Sequence, residues 1–148
     1  MNHLSINELQ NQVVDEFYLL GEDWTEKYNY IIDYGKRLPQ LSEQYKTEEN
    51  LVRGCQSRVW MHSYLQNGKV IFEAESDAII TKGLVGLLVR VLSNQIPDDI
   101  VHADLFFIDK IGMKEHLSPT RSNGLFAMIK QMKLYALGFK TKQENIAK

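Results

Sequence analysis

Cysteine is nearly absent from this sequence, with Cys55 the single one. A lone thiol excludes an internal disulfide, and it excludes the clustered-thiolate zinc and iron–sulfur sites, which take several cysteines each. An excess of one charge sign is missing too: 17 Lys and Arg stand against 19 Asp and Glu, for a net charge of −2. That balance gives no electrostatic case for nucleic acid or an anionic membrane surface as partner. Long apolar runs are also lacking. The most apolar stretch, Leu84 to Leu92, is interrupted by Gly86 and Arg90 and is too short to span a bilayer. The segment Met1 to Gln10 has neither the basic start nor the apolar stretch of a signal peptide. A cytoplasmic, thiol-preserving location is the expectation.

What is present reads as one domain over 1–148, a length that supports a core without covalent staples. Ser5 and Glu8 have capping-box spacing ahead of Leu9, Val13 and Phe17, which recur at helical intervals. Asp23 and Glu26 repeat the start signal before Trp24, Tyr28 and Ile31, and Gly35 reads as the C-cap of that helix. The period then changes to two. Val59, Met61 and Leu65 alternate with Arg58, Trp60, His62 and Tyr64, and Val70, Phe72 and Ala74 alternate with polar neighbours across Asn67-Gly68, a strong hairpin signal. Ile80, Leu84, Leu87, Leu88 and Val91 restore the helical period. Pro97 opens a further helix carrying Ile100, Val101, Leu105 and Ile108 as far as Gly112. Ser118-Pro119 opens the last, which Gly138 is expected to close, leaving 140–148 as a frayed tail. The predicted class is α+β, a small antiparallel sheet flanked by helices.

Cys55 falls at the joint between the first helical half and the first strand, a loop held by rigid elements on both sides. Gly54 removes bulk beside the sulfur, Gln56 and Ser57 bring hydrogen-bonding groups, and Arg53 and Arg58 are placed to favour a thiolate. Local chemistry alone is compatible with a reactive thiol or with a small buried hydrophobe. Arg121, in the first turn after Ser118-Pro119, opposes the helix macrodipole at a cost of about 0.3–1 kcal/mol. A broken local rule of this kind is characteristic of functional sites; a structural ion pair, with Asp77 for instance, is the other reading. Asp77 itself reads as the N-cap of the helix that follows it. Trp60 reads as core, and Gly83 and Gly86 inside a helix read as places where a neighbouring backbone comes close. His3, His62, His102 and His116 lie on separate segments without ligand spacing, so no metal site is assigned.

The run Gly54-Cys55-Gln56-Ser57 with Val59-Trp60 resembles the signature of the SufE family of sulfur acceptors. The similarity continues in order along the chain. It takes in Tyr34-Gly35-Lys36 with Leu38-Pro39, then Ser76-Asp77-Ala78 with Lys82-Gly83-Leu84, and finally Leu117-Ser118-Pro119-Thr120-Arg121-Ser122-Asn123-Gly124-Leu125. The resemblance implies an α+β fold like that of the IscU scaffold proteins. It also implies a role: Cys55 takes persulfide sulfur from a SufS-type cysteine desulfurase, stimulates that enzyme, and passes sulfur toward an iron–sulfur scaffold. Gly54, Gln56, Ser57 and Arg121 would contact the partner or the sulfur, and Asp77 would support them. No cofactor of its own is expected, since pyridoxal phosphate belongs to the desulfurase. Because a permanently exposed thiolate would be oxidised, Cys55 is expected to be shielded until the partner docks. An independent cysteine-dependent enzyme and an IscU-like scaffold remain as alternatives. The first lacks a recognisable histidine partner for Cys55, and the second lacks the thiolates a cluster needs.

Overall fold

The computed structural model describes residues 3–147. Helix α1 (Ile6–Leu19) starts at the capping box expected of it, Ser5 accepting from the Glu8 amide and Glu8 from the Ser5 amide. Helix α2 (Trp24–Lys36) is capped by Asp23, which accepts from the Thr25 amide. Two single 3-10 turns at Glu43–Tyr45 and Glu48–Asn50 lead into a hairpin of β1 (Val59–Gln66) and β2 (Lys69–Ser76). The pair is antiparallel, in the register Met61↔Ala74 and Leu65↔Val70. Asn67 and Gly68 both have positive φ, as a tight two-residue turn requires. Alternation then decides the faces: Val59, Met61, Val70, Phe72 and Ala74 are buried in the core, while Trp60, His62 and Tyr64 lie on the other side. The α+β class holds.

Helix α3 (Ile79–Leu92) is buried along most of its length and packs against β2 and α2. Its contact with α2 is backbone on backbone. A Cβ on Gly83 would occupy the same space as the Ile31 carbonyl, and one on Gly35 would come within 2.8 Å of the Gly83 nitrogen. Gly35 is therefore not the end of α2, which continues to Lys36; it is one side of a close helix crossing. Arg90 ties the same helices to α1 through a bidentate pair with Glu16 at 2.7 and 2.5 Å, and Glu16 also accepts from the Tyr30 hydroxyl. Those donors hold the Glu16 carboxyl below the ordinary carboxylate range, the Arg90 hydrogen bonds contributing most.

The segment expected as a single helix from Pro97 to Gly112 is two short ones, α4 (Pro97–Val101) and α5 (Phe107–Lys110), and a third, α6 (Met113–His116), follows. Gly112 separates the last two in the left-handed conformation, φ +75°. Helix α7 (Pro119–Ala147) runs for 29 residues, straight through Gly138 and the stretch expected to fray. Gly138 has nothing within 4 Å of where a Cβ would lie, so no packed feature stops the helix there. Lys140 on the same stretch pairs with Asp98 of α4 at 2.8 Å. The first half of α7 closes the core with Leu125, Met128, Met132 and Ala136, all buried. Among the described residues no helix is long and apolar enough to cross a membrane.

The two glycines make opposite predictions. Gly83→Ala should destabilise by about 3 kcal/mol or more, since backbone cannot yield to the added methyl as side chains do. Gly138→Ala should stabilise by about 1 kcal/mol, the propensity difference in an exposed helix interior. Denaturant unfolding of the two variants measures both; a neutral or destabilising Gly138→Ala would show that α7 does not persist past that residue.

Candidate functional site

Cys55 stands on a loop whose neck is tied twice. At its base the Val52 amide donates to the Val59 carbonyl at 2.8 Å. One step further, the Arg58 amide donates to Asp77 Oδ1 at 3.0 Å, and the Asp77 amide returns a bond to the Arg58 carbonyl at 3.2 Å. Asp77 is thus not the cap of α3; Ala78 holds that position, and no side chain caps the helix. Asp77 anchors the cysteine loop to the end of β2. The carboxylate spent on the Arg58 amide makes no ion pair with Arg121 among the described residues.

The loop lies across the first turns of α7. Gly54 takes φ +96°, a conformation that favours glycine, and a Cβ there would also press to 3.1 Å from the Ala127 methyl. Cys55 Sγ sits over Gly124 of α7 and donates to its carbonyl at 3.4 Å. A Cβ on Gly124 would lie 3.5 Å from the sulfur, so the lack of a side chain there leaves room beside the thiol. The side chain is half-buried and packs against the edge of the core. Burial pushes the Cys55 thiol above its ordinary pKa. The expectation that Arg53 and Arg58 lower it is corrected here: both side chains are exposed, and desolvation is the cause that acts. The Gly124 carbonyl acts in the same sense, because it can accept only from the protonated sulfur.

Two concavities flank this loop. One, of about 320 Å³, is lined by Cys55, Gln56, Ser57, Thr81, Ser118, Thr120, Arg121 and Gly124. It brings together the expected Cys55, Gln56, Ser57 and Arg121. Ser118 caps α7 by accepting from the Arg121 amide at 3.3 Å, which fixes Arg121 in the first turn as its spacing predicted. The other concavity lies across the loop and is lined by Arg53, Gly54, Ala127, Lys130 and Leu134 among others. Beside it Phe126, Leu134 and Leu137 form an exposed apolar stripe along α7. Gly54 therefore faces the second hollow, away from the Arg121 side. Trp60, expected in the core, is half-buried on the outer face of the hairpin and bridges to Leu51. Sequence reasoning missed Thr81 and Gly124. Thr81 carried no signal, whereas Gly124, six residues beyond a helix start, had one: an interior glycine has to be justified by something packed upon it.

A single thiol on a pinned loop, partly covered and set beside a polar hollow, is an arrangement able to carry a group on sulfur. The sequence model described as "Fe-S metabolism associated domain", that of the SufE family, matches residues 11–136. The chain is 41% identical over 128 residues to an uncharacterized SufE-like protein of Rhizobium etli, covering 83% of this chain and 86% of that one. It is 40% identical over 133 residues to another SufE-like protein, from Rhizobium meliloti, covering 86% and 94%. It is also 41% identical to SufE-like protein 1, chloroplastic/mitochondrial, of Arabidopsis thaliana over 80% of this chain and 32% of that protein. The solution structure of a hypothetical protein from Thermus thermophilus shares the fold, with a TM-score of 0.74, 21% identity, and coverage of 90% and 96% of the two chains. This chain belongs to the SufE family.

Because burial holds the folded-state pKa of Cys55 above the unfolded value, its contribution to stability is present below the unfolded thiol pKa. It is lost as pH rises through the folded one. Alkylation of the native protein should accordingly show a midpoint above that of a small thiol, and Cys55→Ser should flatten the alkaline loss of stability. Asp77→Ala should speed alkylation about fivefold, the equivalent of one hydrogen bond of about 1 kcal/mol released from the loop neck. An unchanged rate would show that Asp77 does not hold the loop.

Proposed function

We propose that this chain is a sulfur acceptor that takes persulfide sulfur onto Cys55 from a SufS-type cysteine desulfurase, stimulates that enzyme, and passes the sulfur toward iron–sulfur cluster assembly. The observation that carries the reading is the setting of Cys55: the only thiol of the chain, on a loop pinned at its neck, with space beside the sulfur. Membership of a family associated with iron–sulfur metabolism supports it.

The chemistry is exchange at sulfur. The Cys55 thiolate attacks the outer sulfur of the donor's persulfide, the new S–S bond forms on Cys55, and the old one breaks with its electron pair going to the donor's cysteine. The thiol proton passes to that leaving thiolate, and nothing is oxidised overall. In the free protein the raised pKa and the bond to the Gly124 carbonyl keep Cys55 protonated, which slows both oxidation and unpartnered transfer. Docking has to pull the loop away from Gly124, and the exposed stripe of Phe126, Leu134 and Leu137 gives the desulfurase an apolar surface close to the loop. Arg121, exposed at the rim of the hollow, is the cation placed to meet the partner. Pyridoxal phosphate is the desulfurase's cofactor in this scheme; the scaffold that receives the sulfur lies downstream. The thiol-preserving compartment expected from the sequence suits this chemistry, whichever compartment of the cell provides it.

Incubation with a SufS-type desulfurase and cysteine should add sulfur atoms to Cys55, detectable by mass spectrometry of the intact chain, and should raise the desulfurase rate. Cys55→Ser should abolish both effects. Arg121→Ala should weaken stimulation roughly tenfold, in keeping with loss of a charged contact at an interface, with an unchanged unfolding midpoint. Sulfur uptake by the Ser variant, or none by the wild type, would refute the acceptor role.

A further inference from the structure

Across the hollow from the sulfur stands a side chain that the acceptor chemistry above does not use. Thr81 lies in the first turn of α3 and is 9% exposed. Its hydroxyl makes no hydrogen bond with any described residue, yet among those residues no side-chain nitrogen or oxygen is both sealed from solvent and unpartnered. The hydroxyl therefore opens on the cavity that Thr81 lines. Helix α3 also begins there without a side-chain cap. Its first closing bond is Lys82 amide to Ala78 carbonyl at 2.8 Å, and among the described residues no side chain accepts from the amides of Ile79, Ile80 and Thr81. The first turn of α7 borders the same cavity through Thr120 and Arg121. Two helix N-termini, each the positive end of its dipole, thus meet the unpartnered, solvent-reachable hydroxyl of Thr81 and Arg121, among the described residues the only charged side chain in the cavity lining.

Among the described residues no anionic side chain lines this space, and one species formed on Cys55 would fill it. A persulfide is a stronger acid than a thiol, so its outer sulfur is an anion near neutral pH. The Gly124 carbonyl that accepts from the thiol at 3.4 Å repels that anion. The polar side of the hollow, lined by Thr81 and Arg121, attracts it. We propose that Thr81, with Arg121 and the first turns of α3 and α7, binds the outer sulfur of the Cys55 persulfide as its anion. The assignment rests on the acceptor reading and deepens it. The site exchanges one partner for another on loading: the neutral thiol donates to the Gly124 carbonyl, and the charged persulfide accepts from the Thr81 hydroxyl. Kept as the anion, the outer sulfur is a poorer electrophile toward stray thiols, so the cargo is retained until a recipient docks. The remaining charges nearby are engaged elsewhere or exposed. Asp77 is bound to the Arg58 amide, Glu75 to Lys82 at 3.0 Å, and the Arg53 and Arg58 side chains are exposed.

The test loads the persulfide chemically on the full chain with inorganic polysulfide, from which the Cys55 thiolate takes one sulfur while the shortened polysulfide leaves with the electron pair. After removal of excess reagent, the near-ultraviolet absorbance of the persulfide anion is titrated against pH, and its decay to a small thiol is timed. Thr81→Val should raise the titration midpoint by about one unit and shorten the lifetime near neutral pH, the tenfold effect of one hydrogen bond to an anion. Thr81→Ser should restore both, and Arg121→Ala should shift the midpoint in the same direction as Thr81→Val. Equal midpoints in wild type, Thr81→Val and Arg121→Ala would overturn the proposal, as would failure of serine to rescue. Chemical loading needs no desulfurase. A chain that titrates as proposed but takes no sulfur from the enzyme would refute the acceptor reading and leave the anion site standing.

Discussion

The site depends on one contact between distant parts of the chain, the seating of the cysteine loop on the first turns of α7. Cys55 and Gly124 are 69 residues apart in sequence, and each side of the contact has a glycine: a methyl on Gly54 would crowd Ala127, and one on Gly124 would take up the space beside the sulfur. Everything upstream serves this placement. The hairpin sets the height of the loop, and Asp77 ties the loop to the end of β2. Helix α3 holds β2 in place, and α2 locks α3 by backbone contact at Gly35 and Gly83. The hydrophobic core fixes α7 through Leu125, Met128 and Met132, and so fixes where the Gly124 carbonyl points.

This arrangement trades reactivity for protection. A thiolate on an exposed loop would be fast and indiscriminate, whereas a buried thiol bonded to a carbonyl is slow and durable. The protein tilts toward durability in the free state, as the raised pKa of Cys55 indicates. A few hydrogen bonds hold that balance, so a docking surface can tip it, since single bonds of this kind contribute about 1 kcal/mol each.

Features that depend on near neighbours were legible in the sequence. The capping box of α1, the Asn67-Gly68 turn, the two-residue alternation of the hairpin and the Ser118-Pro119 helix start are all local, and each is found where its residues predict. The errors share one cause. Gly35 reads locally as a helix end and instead marks a crossing; Gly138 reads as another and ends nothing; Asp77 reads as the cap of α3 and anchors a loop. For Gly35 and Asp77 the residue type announces that something special occurs and only the tertiary partner determines what, whereas Gly138 has no packed neighbour and marks nothing. Cys55 was legible through its motif, while the burial that raises its pKa and the carbonyl beneath it come from a helix far along the chain. Thr81, an ordinary threonine in an ordinary apolar helix, gave no local sign at all.

The solitary thiol has a use beyond its chemistry. Its sulfur is wedged between a loop and a helix that meet only in the assembled molecule. Any fluctuation that parts them, from a breathing of the loop to global unfolding, uncovers the same atom. With no second cysteine to compete for label or to scramble bonds, the chain carries a built-in, single-site gauge of its own opening. Readings taken across denaturant concentrations would separate local excursions of the loop from cooperative loss of the whole fold.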